Sequence, residues 1–188
     1  GINGITGGYS LTVLLALAYI NTEVVSFVEQ SLINTEIMAV FVFCFFNFRK
    51  KARCFAGDVG AVSIAFIILF LIGKLIIHTE DFSWIILLSV YGVDSVLTII
   101  HRLILHENIG LPHRKHLYQL MANELEIPHM VVSAVYMILQ LFIVAGLLWL
   151  PVDHWVYFFI VIGSLVVIYI IFVKKYYPLH EAYLKQKK

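Results

Sequence analysis

Cysteine is scarce in this chain, and charge of either sign is close to balance. The two cysteines, Cys44 and Cys54, are separated by charged turn residues. That number and spacing exclude a disulfide scaffold and offer no zinc-ligand pattern. Two free thiols are expected, one in apolar surroundings and one near a reducing cytosol. The net charge is only +1, so bulk charge provides no footprint for nucleic acid, and none is expected as a partner. An opening Met, a signal peptide, an internal repeat and a low-complexity linker are also missing. The chain starts inside a glycine-rich segment, and we expect it to be the C-terminal part of something longer.

Apolar residues, by contrast, make up 61% of the 188 positions, with a mean hydropathy of +0.92. Soluble domains run at about 45–50% apolar, so the sequence is that of an integral membrane protein. Windows of membrane-crossing length fall at about 9–28, 36–48, 61–78, 82–101, 130–150 and 154–173. The first is interrupted by Asn21, Thr22 and Glu23, and the second is short. The expected fold is therefore an all-α polytopic membrane protein of about six transmembrane helices. It forms one membrane-embedded domain over 1–188, with loops at about 1–8, 48–60 and 102–129 and a tail at 174–188.

Positive charge orients it. Arg49, Lys50, Lys51 and Arg53 lie between spans two and three, and Arg102, Arg114 and Lys115 between four and five. Lys174, Lys175, Lys185, Lys187 and Lys188 follow span six. With six alternating spans all of these fall on one face, cytoplasmic by the positive-inside rule. Lys74 snorkels from the far end of span three. Trp84, Trp149 and Trp155 fit an aromatic belt at the outer boundary. In the longest polar stretch, 101–129, Pro112 is suited to start a helix. Leu117, Leu120, Met121 and Leu125 then form the apolar stripe of an amphipathic helix at the interface.

Five groups of residues on or near that face are able to carry chemistry. Asp58 lies in C-F-A-G-D-V-G-A, residues 54–61, flanked by glycines at a membrane–water boundary. It reads either as an ordinary turn residue or as a hard oxygen ligand for Mg²⁺ in phosphate chemistry. Asn47, at the end of span two, is either a cap or an interfacial polar group. His113, Arg114 and His116 would group on a helix, with Arg114 a forked phosphate partner; a solvated loop is the other reading. Gly1, Asn3, Gly4, Gly7 and Gly8 precede a helix and either offer N–H groups to phosphate or permit close helix packing. Asp94, within span four, is a functional candidate as an intramembrane acid. It is equally readable as the partner of a polar group on a neighbouring helix.

Taken in order, these segments resemble the polyprenyl-phosphate N-acetylhexosamine-1-phosphate transferase family, of the bacterial undecaprenyl-phosphate GlcNAc-1-phosphate transferase kind. G-I-N-G-I-T-G-G resembles the continuation of the family's N-x-x-D-G-x-x-G-L motif. Asn47 to Ala61 resembles its Asn followed by F-x-G-D-x-G-S. Tyr91 to Arg102 resembles its P-x-x-D-x-x-x-V-I-x-x-R helix, and P-H-R-K-H-L at 112–117 its P-D-R-x-H-L loop. The resemblance implies that Asp58 is the catalytic, Mg²⁺-binding acid, with Mn²⁺ as an alternative ion. It implies His116 as a second catalytic residue. Asn47, His113, Arg114, Gly1, Asn3 and Gly4 become substrate-binding residues. His113 stands where the family often has Asp, Ala61 where it has Ser, and Tyr118 where many members have another His.

The implied reaction transfers N-acetylhexosamine-1-phosphate, GlcNAc-1-phosphate first, from a UDP-sugar to undecaprenyl or another polyprenyl phosphate, releasing UMP. That would initiate a surface polysaccharide on cytoplasmic loops of the bacterial inner membrane, and a homodimer is compatible with it. The family's paired Asp-Asp motif and the Asp before Gly1 are not in the sequence, so the 188 residues expressed alone are expected to be inactive. Two other readings stay open: a phospho-MurNAc-pentapeptide transferase, and a transporter or structural module in which Asp94, Lys74 and His78 line a pathway.

Overall fold

The computed structural model describes residues 2–111 and 113–186, with side chains described as far as Leu179. Gly1, Pro112, Lys187 and Lys188 lie outside the described residues. The protein is 78% helical, with no strand among the described residues. Its helices are α1 (Ile5–Tyr19), α2 (Gln30–Asn47), α3 (Gly57–Thr79), α4 (Ser89–Ile104), α5 (Leu117–Asn123), α6 (His129–Trp149) and α7 (His154–Gln186). A π-helical turn, Ile20–Val24, extends α1, and a 3₁₀ segment, Phe82–Leu88, leads into α4. Together they give six helices long and apolar enough to cross a membrane.

The least hydropathic span, Ile5–Val24, is the most buried of the six. Helix α1 is the hub: it packs against α2, α6 and α3. Its small residues explain why. A side chain at Gly7 would meet the Phe43 ring and Cys44 Sγ of α2, and one at Gly8 would meet Met137 of α6. Small residues let membrane helices approach closely. A span that is 67% buried by protein also needs less of the apolar surface that lipid demands. The span ends at Val24, not at 28, because Asn21 breaks it. Its Oδ1 accepts the N–H groups of Phe27 and Val28, and its Nδ2 donates to the Val28 carbonyl.

Span four changes from 3₁₀ to α at Leu88–Ser89, which frees backbone groups inside the bilayer. Buried Gln140 of α6 takes them up. Its Nε2 donates to the Ile86 carbonyl at 3.0 Å, and its Oε1 accepts from Val90 N at 3.2 Å and from the Tyr9 hydroxyl at 2.6 Å. Irregular backbone at membrane depth persists only where protein satisfies it.

Helix α3 begins at Gly57, inside the expected 48–60 loop, because Gly57 enters it at a φ of +60°. That angle is open to glycine and strained for other residues. Helix α7 runs 33 residues, about 50 Å at 1.5 Å per residue. It therefore projects beyond a hydrocarbon core of about 30 Å. Of the three tryptophans, Trp149 and Trp155 are exposed as a belt requires, but Trp84 is buried and stacks edge-on with His154. Both cysteines are free.

The amphipathic interfacial helix is corrected in two respects. Residues 113–115 are non-helical, and α5 covers only Leu117–Asn123, so Leu125 falls outside it. Leu120 and Tyr118 are buried against the bundle and do not face a bilayer surface. The physical reason is a set of tethers: the segment's polar groups are tied to α4 and α7.

Candidate functional site

Two constellations form at the end of the bundle that carries the basic loops. The first joins the glycine-rich N-terminal segment to the loop after α2. Asn47, buried at the end of α2, accepts the Gly4 N–H through Oδ1 at 2.9 Å. Its Nδ2 donates to the Cys54 carbonyl at 2.8 Å. Asn3 adds a second clasp: its Nδ2 donates to the Arg49 carbonyl at 3.1 Å, while its own carbonyl accepts from Ser133 Oγ of α6. Gly4 carries a φ of +85° as the cap of α1, and a Cβ there would lie 2.2 Å from the Phe48 ring. Gly4 and Asn3 therefore hold loops together, and Gly7 and Gly8 serve close packing. Gly1 lies outside the described residues.

Asp58 stands in the first turn of α3 with its side chain exposed, where the N-terminal end of the helix dipole favours negative charge. Two grooves run along the same helix. One, of about 350 Å³, is lined on its polar side by Thr6, Ser10, Glu36 and Ser63 and reaches Phe55 and Gly60. The other, of about 260 Å³, lies between α1, α3 and α4. Ala61, Ile64, Ile68, Tyr9 and Tyr91 help to line it. Ala61 thus offers a methyl group to an apolar wall.

The second constellation centres on Asp94, buried in α4. Its Oδ1 accepts the Leu117 N–H that opens α5 at 2.8 Å and the Thr98 hydroxyl at 3.2 Å. Its Oδ2 accepts the Tyr136 hydroxyl of α6 at 2.8 Å. His116 Nδ1 lies 3.7 Å from Asp94 Oδ1, buried and without a hydrogen-bond partner. The His116 ring stacks on Tyr118 at 5.1 Å and meets His113 at 4.9 Å. Tyr118 stacks on Tyr91 at 5.8 Å, and Tyr91 meets Tyr9 at 5.5 Å. This column of five rings runs from the histidine loop to the groove between α1, α3 and α4. His113 and His116 are thus brought together without the helix expected to pair them, and Arg114 is exposed beside them.

Beneath that loop lies a charged knot that the sequence reading left out. Buried Arg102 donates to Glu107 Oε2 at 3.2 Å and to the carbonyls of Asn108, Ile109 and Leu111. Lys115, also buried, pairs with Glu107 and donates to the Tyr177 hydroxyl of α7 at 2.9 Å. Lys115 beside it, together with Arg102, holds the Glu107 carboxyl below its ordinary range. Burial and the Arg102 charge push His113 down, toward its neutral form. One pattern was legible: Asp94, Thr98 and Arg102 recur every four residues on α4, and all three are buried. Polar residues at that spacing mark one helix face.

Among the described residues no cluster of three or more His, Cys, Asp or Glu side chains forms a cage for a metal. Asp58 is an exposed single carboxylate. That suits Mg²⁺ of the kind that takes one or two carboxylates and completes its shell with water and substrate phosphate.

The family model for glycosyl transferase family 4 matches residues 1–76. The matched region contains Asn3, Gly4, Asn47, Asp58 and the grooved face of α3. No curated protein and no solved structure matches the chain.

Proposed function

From the match of residues 1–76 to the model for glycosyl transferase family 4, together with the motif resemblance along the chain, we propose that it is a polyprenyl-phosphate sugar-1-phosphate transferase that transfers an N-acetylhexosamine-1-phosphate, GlcNAc-1-phosphate first, from a UDP-sugar to undecaprenyl or another polyprenyl phosphate. In this reading a phosphate oxygen of the polyprenyl phosphate attacks the sugar-bearing phosphorus. The bond from that phosphorus to the bridging oxygen breaks, and UMP leaves. The observation that carries the reading is the double clasp of Asn47, which fixes the glycine-rich segment against the loop leading to Asp58. Two motifs of the matched region are thereby joined at one end of the bundle, beside membrane-embedded grooves.

Asp58 would hold Mg²⁺, whose charge offsets that of the diphosphate. Arg114 would position a phosphate through its fork, and His116 would hydrogen-bond beside it. Asn47, Asn3 and Gly4 shape the floor of the site through backbone contacts. His113 stands next to His116. The groove between α1, α3 and α4 has the apolar lining that an isoprenoid tail requires. The positive-inside rule puts these loops in the cytoplasm, and the product would seed a surface polysaccharide in a bacterial inner membrane.

The transporter reading loses its central residue, since both oxygens of Asp94 are taken by protein donors. The test is UMP release by the full-length protein in detergent, with UDP-GlcNAc, UDP-GalNAc and polyprenyl phosphate, with and without Mg²⁺. Mg²⁺-dependent release that Asp58→Asn abolishes in a folded protein is the expected result. Silence from a folded protein with every UDP-sugar overturns the reading.

A further inference from the structure

Helix α2 ends at Asn47, and the chain just beyond it holds four cations, Arg49, Lys50, Lys51 and Arg53. No Asp or Glu lies between Glu36 and Asp58 to balance them. Lys50, Lys51 and Arg53 are exposed and make no side-chain hydrogen bond or ion pair among the described residues. Arg49 is different. Its Nε donates to the Phe45 carbonyl in the last turn of α2 at 2.6 Å, and its guanidinium lies over the Phe45 ring, 4.5 Å from the centroid. A cation on the last carbonyls of a helix is ordinary C-capping, and capping uses only Nε. Both terminal nitrogens are left without a partner among the described residues, and the ring contact fixes the direction of the fork. Arg49 also lines a groove of about 380 Å³ between α1, α2 and α6. Leu11 of α1, Phe41 and Cys44 of α2 and Met137 of α6 make its apolar walls. The positive-inside rule accounts for cations on this face. It does not account for one held rigidly at an apolar groove, just past the membrane-crossing stretch Gln30–Asn47.

We propose that Arg49 and this groove bind one anionic diacyl phospholipid, with the phosphodiester on the guanidinium fork and one acyl chain against Leu11, Phe41 and Met137. The planar fork donates two parallel N–H bonds to phosphate oxygens. Lys50 and Lys51 add the general attraction of exposed cations for a negative leaflet surface. A phosphatidylcholine carries the same phosphodiester, but its choline cancels the charge, so the site discriminates by net charge. No residue of α3 lines the groove, so the lipid occupies a different groove from the two that run along the helix carrying Asp58. Its binding does not depend on the transferase reading, and its test needs no turnover.

The full-length protein, delipidated in detergent, is titrated with phosphatidylglycerol or with phosphatidylcholine of the same acyl chains, and bound lipid is counted by native mass spectrometry. Wild type is expected to hold one phosphatidylglycerol about tenfold more tightly than phosphatidylcholine, the difference that one charge-assisted pair supplies. Arg49→Gln should bring the two lipids to within about twofold of each other. Arg49→Lys keeps a cation able to cap α2 but loses the fork, so its preference should fall between the two. Lys51→Gln should lose less of the preference than Arg49→Gln. Equal binding of both lipids by wild type overturns the proposal without any variant. A wild-type preference in folded Arg49→Gln or in Arg49→Lys also overturns it, and so does a Lys51→Gln that loses as much as Arg49→Gln, which would leave only the bulk charge of the loop. Phosphatidylglycerol with a diazirine on one acyl chain, photolysed at an equimolar ratio, should label Leu11, Phe41, Cys44 or Met137, and adducts confined to other residues overturn the groove. Undecaprenyl phosphate that displaced phosphatidylglycerol at equal concentration would assign the site to that lipid and overturn the phospholipid.

Discussion

Asp94 and Leu117 are 23 residues apart, yet the carboxylate of one accepts the backbone N–H of the other at 2.8 Å. Leu117 is the first residue of α5, and His116 before it adopts φ −60° and ψ 147°. Those angles already suit a residue that precedes proline, and proline is tolerated at the first helical position. Leu117→Pro should therefore delete the N–H and leave the helix otherwise intact. Compared with Leu117→Ala, which loses the same side chain but keeps the donor, it is expected to be less stable by about 1.5–3 kcal/mol, the range for a hydrogen bond to a charged group. Thermal or denaturant unfolding in detergent measures the difference, and equal stabilities would show that the bond contributes nothing.

Asn47 performs a comparable task on the other side of the site. Truncation to alanine leaves the buried Gly4 N–H and the Cys54 carbonyl without partners. Each unsatisfied group costs about 1–3 kcal/mol. Asn47→Ala should lower stability by roughly 2–4 kcal/mol and open the loop of residues 48–56 to protease. Asn47→Asp keeps an acceptor for Gly4 but sets a second oxygen against the Cys54 carbonyl, so it should also be less stable than wild type. Unfolding curves and limited proteolysis of the three proteins would compare them, and an Asn47→Ala variant as stable as wild type would argue against the two-bond account.

The six spans were legible because lipid imposes a uniform demand on length and hydropathy, and each expected window overlaps an observed helix. The places where the reading slipped are those where protein takes over from lipid as the surroundings. The weak first window became the central helix, because Gly7 and Gly8 face α2 and α6. Trp84 is buried, because the 3₁₀ segment turns it inward. The segment after α4 is not a surface helix, because Arg102, Glu107 and Lys115 anchor it. Asn47 and Asp94 were visible as polar residues in apolar surroundings, but their partners are 43 and 42 residues away for Gly4 and Tyr136, beyond any local pattern. The spacing of four that links Asp94, Thr98 and Arg102 was readable, and it marks the polar face on which the histidine loop is built.

Gly4 combines two constraints that a double variant separates. Its φ of +85° strains any residue with a Cβ, and the Cβ would fall 2.2 Å from Phe48 Cδ2. Left-handed backbone costs a non-glycine residue roughly 1–2 kcal/mol, and the ring clash adds to that. Gly4→Ala should therefore destabilise by more than the backbone term. Phe48→Ala removes the ring, so in the Gly4→Ala background it should cost less than it does in wild type, without restoring wild-type stability. A melting cycle over the four proteins gives the coupling, and strict additivity would mean that the ring yields freely.

The knot of Glu107 with Lys115 and Arg102 sets a pH dependence for the loop between α4 and α5. Lys115, and after it Arg102, hold the folded Glu107 carboxyl below its ordinary range against the opposing effect of burial. A depressed carboxylate contributes stability that is present above its unfolded value, near 4.3, and is lost as pH falls through the lower folded value. Lys115 behaves in the opposite sense. Burial works against its ammonium, but Glu107 and Tyr177 outweigh it, so its folded value is raised. Its contribution is complete below the ordinary lysine range, about 10.4, and is lost only as pH rises through the higher folded value. The melting-temperature gap between wild type and Glu107→Gln should thus be level from about pH 5 to pH 10 and close below the ordinary carboxylate range. A gap that widened on acidification would mean that the carboxyl is held protonated, the reverse of the ion pair described.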